Sequence, residues 1–476
     1  MSLSSLFFIL CFLPIVAIIY FLTPVAGYKN RLLIFFSLLF YSFGGVGYLV
    51  LLMVMTAIGW FAGLKIEAAN DKAAKKRWLV SSVVIFVLVL GIFKYTNFLV
   101  GTVTGFAGIE WKPLSIALPI GISFYTFKLI SYVADVYMEK YAAEEYYWVM
   151  LLYTSVFPQA LQGPIERFSD IKAEIYNRET KVSDVSEGIY RFCIGLAKKT
   201  VLADHIGELA ATLSPVSEAV SGATTLAVWL GSLCYAMQLY LDFSAYTDMA
   251  IGVGRIFGFH FPENFNYPYA ATSVKDFWRR WHITLSSFFR DYVYIPLGGN
   301  RVGLLKTSFN LLVVWILTGL WHGASWNFVL WGLFYLPFIV IENWWKKKKL
   351  PVLPRFFRHI LAIFILNFGW LLFRYSDVNQ FFDVISVYLG IKNNGFTVST
   401  VNINIQNNIF LLIVCVLACT PLFSVIDKKL TEKSEQGTVN VGLLHSIKIL
   451  ICIALLGLSL IAMAGNSFTP FLYNQF

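Results

Sequence analysis

Twelve stretches of this 476-residue chain are apolar over most of their length: 5–24, 31–63, 78–99, 115–137, 146–162, 189–210, 224–250, 307–322, 326–345, 356–374, 407–425 and 443–463. A helix needs roughly 20 such residues to cross a bilayer. In hydrocarbon every backbone N–H and C=O must be satisfied within the protein, which leaves helices or a closed barrel. A barrel would read as alternating segments of about ten residues, and these runs are continuous. With 58% hydrophobic and only 13% charged residues, the chain has about half the charge a soluble domain carries. The fold class is therefore an all-α polytopic membrane protein, expected to have eleven or more transmembrane helices.

The formal net charge of +10 is read against that background. Basic clusters in membrane proteins mark cytoplasmic loops and meet anionic headgroups, so nucleic acid is not called for. Gly44-Gly45-Val46-Gly47 is expected to break 31–63 into two helices, which places Lys29/Arg31 on the same side as the basic loop 65–77. Lys346 to Lys349 and Lys428/Lys429 join that side, whereas 376–406 is rich in amides and reads as outside. The N-terminal apolar run has no basic residues before it and reads as a retained first helix. Segments 163–187 and 262–301 are too polar to span yet rich in aromatics, and are expected to be re-entrant or interfacial. The six cysteines form no CxxC pairs, so neither a zinc site nor a disulfide framework is indicated. No fixed-period repeat or soluble domain interrupts the chain. It is expected to be one integral-membrane domain over 1–476, with N-terminal helices (1–99), a motif-bearing core (115–345) and C-terminal helices (356–476).

Polar groups stand out against so much hydrocarbon. His322 lies in LLVVWILTGLWHGASWNFVLWGLF, flanked by apolar runs and by Trp321. Burying such a ring without a partner costs roughly 2–7 kcal/mol, and an ionisable residue at membrane depth is a functional-site hypothesis by default. The small Gly319, Gly323 and Ala324 around it admit a ligand or another helix. His282 follows Trp281 in VKDFWRRWHITLSSFFRDYVYIPLGGN, whose Lys275, Arg279, Arg280 and Arg290 give it a basic side. Composition reads that segment first as an amphipathic interfacial helix, although Arg279 and Arg280 could meet phosphates of a donor. Asp242 and Asp248 interrupt an otherwise spanning helix, and each costs about 2.5–3.5 kcal/mol at its centre. Asp242 could orient a histidine, pair an arginine, or simply tie helices together. In FPQALQGPIERFSDI, Gly163-Pro164 ends a span before Glu166-Arg167, as a structured re-entry or a simple loop. His205, His260, His359 and His445 lie near charges or span ends and read as interfacial. No GxSxG elbow, HExxH pair or P-loop appears.

WRRWHITLSSFFRDYVYIPLGGNR followed by NLLVVWILTGLWHGASWNFVLWG resembles the core signature of membrane-bound O-acyltransferases. The likeness is strongest to the bacterial branch that includes the membrane subunits of alginate O-acetylation and, more distantly, of teichoic-acid D-alanylation. LPIGISFYTFKLISYVADVY, FPQALQGPIERFSDI, LYLDFSAYTDMAIGVGRIFGFHFPENFNYPY and the ending PFLYNQF carry it from about Phe93 onward. The resemblance implies helices around a central funnel or tunnel, with His322 as the catalytic histidine and His282 as the second family histidine. Trp281, Trp321, Asp242, Arg279, Arg280 and Asn327 are the accompanying substrate or tunnel candidates.

The same resemblance implies acyl transfer, most simply of acetyl, from a cytoplasmic thioester donor (acetyl-CoA or an acyl-carrier protein) without a metal. The acceptor would be a cell-surface or exported polysaccharide, reached through an extracytoplasmic SGNH-type partner, with the enzyme in the bacterial cytoplasmic (inner) membrane. The competing classes are a transporter or polymer flippase, and an inactive scaffold of the same fold.

Overall fold

The computed structural model describes residues 1–392, 394–465 and 469–472, the side chains of 26 and 218 excepted. Among them the helices are α1 (Phe8–Leu22), α2 (Ala26–Ser42), α3 (Val46–Ala68), α4 (Lys72–Phe106), α5 (Ile122–Tyr137), α6 (Tyr147–Ser155), α7 (Phe168–Tyr176), α8 (Val182–Ala197), α9 (Asp204–Leu213) and α10 (Thr225–Ile256). They continue as α11 (Val274–Arg280), α12 (Ile283–Phe289), α13 (Leu304–His322), α14 (Trp326–Lys347), α15 (Arg355–Arg374), α16 (Val378–Tyr388), α17 (Ser399–Asn407), α18 (Ile409–Ala418), α19 (Leu422–Glu435) and α20 (Val441–Gly465). Among the described residues seven helices are long and apolar enough to cross a membrane: α3, α4, α10, α13, α14, α15 and α20. The pair α17–α18, bent by 60° at its break, adds an eighth.

The other expected spans are shorter or interrupted, for local reasons. The 31–63 run divides where Gly45 takes φ +126°, a conformation closed to side chains with a Cβ. The 115–137 run becomes helical only at Ile122. Gly121 before it sits at φ +74°, so close to Ala160 that a Cβ would lie 2.0 Å from its carbonyl oxygen. The 146–162 run is helical only to Ser155, and the 407–425 run is cut at Thr420-Pro421 between α18 and α19. The 262–301 segment holds four short helical pieces, Pro268–Ala270, Val274–Arg280, Ile283–Phe289 and Arg290–Tyr294, none long enough to span.

The chain forms two compact units, Met1–Phe192 with Thr247–Glu263 and Ser287–Val293, and Cys193–Tyr246 with Asn264–Ser286 and Tyr294–Phe476. In the first, α5 packs on α3 through glycines. A Cβ on Gly63 would lie 2.6 Å from Tyr132 Oη, and one on Gly59 would lie 2.7 Å from Leu129. The irregular backbone after α6 is buried, and several of its polar groups are paired. Ser37 accepts from Phe157 N–H, Tyr153 Oη donates to the Glu166 carbonyl, and Lys128 Nζ donates to Gln159 Oε1 at 2.6 Å. Gln159 Nε2 in turn donates to Glu166 at 3.1 Å. FPQALQGPIERF is therefore a buried, internally bonded segment rather than a surface loop.

In the second unit α13 and α14 lie backbone to backbone. A Cβ on Gly319 would stand 2.4 Å from the Phe328 carbonyl oxygen, and one on Gly332 would stand 2.3 Å from that of Trp315. The glycines beside His322 thus serve helix approach. Around this seam the aromatic core collects Phe277, Trp281, Trp315, Trp331, Tyr335 and Trp370.

Candidate active site

His322 is the last residue of α13, and only 4% of it is exposed. The last carbonyls of a helix have no partner within the helix, and an imidazole there can supply one. His322 Nδ1 lies 2.7 Å from the Thr318 carbonyl oxygen. That oxygen only accepts, so Nδ1 carries the proton and Nε2 is the basic nitrogen of the neutral ring. The helix C-terminus also favours positive charge developing on this side chain. Rings pack around the imidazole: Trp331 with its centroid 4.7 Å away, Trp321 at 5.0 Å and Phe373 at 5.9 Å.

A cavity of about 20 Å³ lies against His322, walled by Leu239, Asp242, Phe243, Trp281, Trp370, Phe373 and Leu472. By the measure in which one water needs about 10–15 Å³, it has room for one small group. Its wall is almost wholly apolar, and Leu472 brings the C-terminal segment into it.

His282 is 1% exposed, at φ +44° between α11 and α12. A left-handed backbone at a non-glycine residue costs about 1–3 kcal/mol and persists where the surroundings hold it. Asn264 does the holding. Its Oδ1 lies 3.2 Å from His282 Nδ1, 3.2 Å from the Thr284 N–H and 2.9 Å from Thr284 Oγ1. The peptide N–H is a donor, so the shared atom is the amide oxygen and His282 Nδ1 carries its proton. The Asn264 carbonyl also accepts from Ile283 N–H at 2.9 Å. Both histidines therefore donate through Nδ1. Burial, and then the neighbouring His322, hold the His282 pKa well below the ordinary histidine range. Trp321 is the common neighbour of the two imidazoles, its ring 5.4 Å from that of His282.

The other predicted site residues separate into two groups. Trp281 lines the cavity and stacks on Phe277, with centroids 5.5 Å apart. Asp242 lines it too, but neither a histidine nor an arginine is its partner. Lys199 Nζ lies 2.9 Å from Oδ1, and the Leu472 N–H donates to Oδ2 at 2.9 Å. Lys199 also pairs with Asp204 at 2.7 Å and reaches the Pro470 carbonyl at 3.4 Å. Asp242 and Lys199 together anchor the C-terminal segment at the cavity wall. Arg279 and Arg280 are not brought to the cavity: Arg279 is exposed, and Arg280 bonds Asp276 at 3.1 Å and the Asn266 carbonyl at 3.3 Å. Asn327 is also away from the lining, its amide reaching the Leu372 and Phe373 carbonyls and its oxygen taking the Ser325 hydroxyl.

Sequence reasoning passed over Asn264, Lys199, Thr318 and Leu472. Lys199 carried a physical signal, since a lysine inside an apolar run needs a carboxylate. Among the described residues no cluster of three or more His, Cys, Asp or Glu could hold a metal ion.

In a multi-pass helical protein, a buried histidine at a helix end, bordering a small and mostly apolar cavity, is an arrangement able to pass a proton to or from a bound group. The profile of the membrane-bound O-acyltransferase family matches residues 33–374, and the chain belongs to that family. It is a membrane O-acyltransferase rather than a transporter. Over the whole length of both chains it is 35% identical to the probable alginate O-acetylase AlgI of Azotobacter vinelandii. It is 39% identical to the protein of the same name from Pseudomonas aeruginosa, over 79% of this chain and 73% of that one. The peptidoglycan O-acetyltransferase of Helicobacter pylori is 33% identical, over 81% of this chain and 79% of its own.

Proposed function

We propose that this O-acyltransferase moves an acetyl group from a cytoplasmic thioester, acetyl-CoA or an acyl-carrier protein, toward a hydroxyl of an extracytoplasmic bacterial polysaccharide. A separate SGNH-type protein outside the membrane completes the delivery, and the enzyme works in the cytoplasmic membrane. The names of its relatives support acetyl and a glycan acceptor. The cavity of about 20 Å³ supports a small acyl group as well.

The observation that carries the mechanism is the 2.7 Å bond from His322 Nδ1 to the Thr318 carbonyl. It presets the tautomer whose Nε2 takes the proton of the attacking hydroxyl. The hydroxyl oxygen bonds to the acyl carbon, the C–S bond breaks, and the sulfur leaves with the proton returned from the imidazolium. Positive charge on His322 is favoured by the end of α13 and is not opposed by His282, which burial keeps neutral. The apolar wall limits water, which would otherwise hydrolyse the donor.

The test is His322→Ala, expressed in membranes and supplied with labelled acetyl-CoA, with glycan acetylation read by mass spectrometry. Transfer is expected to fall about 10²–10⁴-fold while insertion and folding are kept. Undiminished transfer by a folded variant refutes the assignment.

A further inference from the structure

In the first unit, away from the residues used above, lies a second cavity of about 110 Å³ lined by Gly27, Lys29, Asn30, Ile175, Tyr176, Arg178 and the Trp148 ring. Two cations converge on it. Lys29 Nζ lies 4.8 Å and the Arg178 guanidinium carbon 5.7 Å from the centroid of the same ring, Tyr20. Arg178 is held by neutral groups: it donates to Tyr20 Oη at 3.0 Å, to Asn30 Oδ1 at 2.9 Å and to the Glu174 carbonyl at 3.4 Å, and it lies over Phe259. The nearby acids are engaged elsewhere. Glu144 takes the Tyr176 hydroxyl at 2.6 Å and faces Lys172 at 3.7 Å, while Glu174 pairs with His260 at 2.8 Å. Holding two like charges on one ring costs energy that a shared anion would recover.

The surroundings say which anion. Tyr28, Tyr146, Trp148 and Tyr176 are exposed around the cavity, and Leu22 and Val25 are exposed beside it at the turn from α1 to α2. Exposed tyrosine and tryptophan at helix ends mark the headgroup level of a bilayer, and basic pockets there take anionic headgroups. We propose that this cavity binds the phosphate of an anionic phospholipid, with Lys29 and Arg178 on the phosphate oxygens and the aromatic rim at the level of the glycerol.

Native mass spectrometry of the full-length protein in detergent, titrated with phosphatidylglycerol or phosphatidylcholine, tests the proposal. Arg178 supports too much structure to substitute cleanly, whereas Lys29 is half-buried with a ring contact, so the variants are Lys29→Gln and Lys29→Glu. A Cβ on Gly27 meets nothing within 4 Å, so Gly27→Leu fills the space and leaves both charges in place. Tighter retention of phosphatidylglycerol than of phosphatidylcholine is expected. It should fall about fivefold in Lys29→Gln and about thirtyfold in Lys29→Glu, at the usual worth of a basic residue near a membrane. Gly27→Leu should weaken it likewise, and millimolar inorganic phosphate should leave it unchanged. Equal retention of the two lipids, or unchanged retention in a folded Lys29→Glu protein, overturns the site. Displacement of phosphatidylglycerol by inorganic phosphate overturns the lipid and leaves a soluble-anion site.

Discussion

Replacing Gly319 by alanine tests whether the α13–α14 seam sets the position of the His322 imidazole, the proposed base. The added Cβ would stand 2.4 Å from the Phe328 carbonyl oxygen and 3.1 Å from the Val329 Cα. Ordinary contact begins near 3.4 Å, so one helix must retreat by about 1 Å, since what it meets is backbone that cannot rotate aside. Overpacking of this kind costs about 1–3 kcal/mol. The bond from His322 Nδ1 to Thr318 lies within α13 and survives, so the tautomer is unchanged. The place of the ring against Trp331 on α14 is not preserved. A displacement of about 1 Å can lower a rate about 10²-fold. Acetyl transfer in isolated membranes is therefore expected to fall between tenfold and a hundredfold, with the melting temperature lowered and insertion unaffected. Gly91→Ala, where a Cβ meets nothing within 4 Å, serves as the control and should do neither. A Gly319→Ala enzyme transferring at the wild-type rate would show that the seam does not position the ring.

Three further outcomes are expected. Asn264→Leu leaves three buried donors without their shared acceptor, at about 1–3 kcal/mol each where nothing replaces it; a loss of stability above about 3 kcal/mol with reduced transfer should appear in thermal unfolding and the acetylation assay, whereas Asn264→Asp should keep the fold. Lys199→Met leaves both Asp242 and Asp204 without their cation and should cost about 3–5 kcal/mol, and adding Asp242→Leu should recover part of it, as thermal unfolding of the two variants would report. Because the His282 pKa lies below its unfolded value, its contribution to stability is complete above about pH 6.5 and is lost as pH falls toward the folded pKa. Thermal unfolding followed against pH should accordingly show stability falling as pH drops below about 6.5, and stability unchanged over that range would contradict a neutral buried His282.

Much of the site was legible because burial of a polar ring in hydrocarbon is costly wherever it occurs. His322 could be singled out from its apolar neighbours alone. His282 could not, since Arg279 and Arg280 made its segment look interfacial, and its burial depends on Asn264, eighteen residues earlier. The two arginines follow their own helix to its outer side, a matter of phase that composition does not resolve. Asn327 is a candidate only through the family resemblance, and in the structure its amide ties α14 to α15.

By itself the sequence determined that the chain is a helical membrane protein and singled out His322 as a candidate for chemistry, since hydrophobic run length and the cost of a buried imidazole are local properties. It also placed a break within Gly44-Gly45-Val46-Gly47, and the structure puts the turn at Gly45, whose φ of +126° favours glycine. What the tertiary structure decided is everything that depends on distant partners: which nitrogen of each histidine is protonated, that Asp242 belongs to Lys199 and the C-terminal segment, and how small the cavity is. Those follow from which side chains meet when helices far apart in sequence pack, and a linear pattern of apolar residues does not encode such meetings.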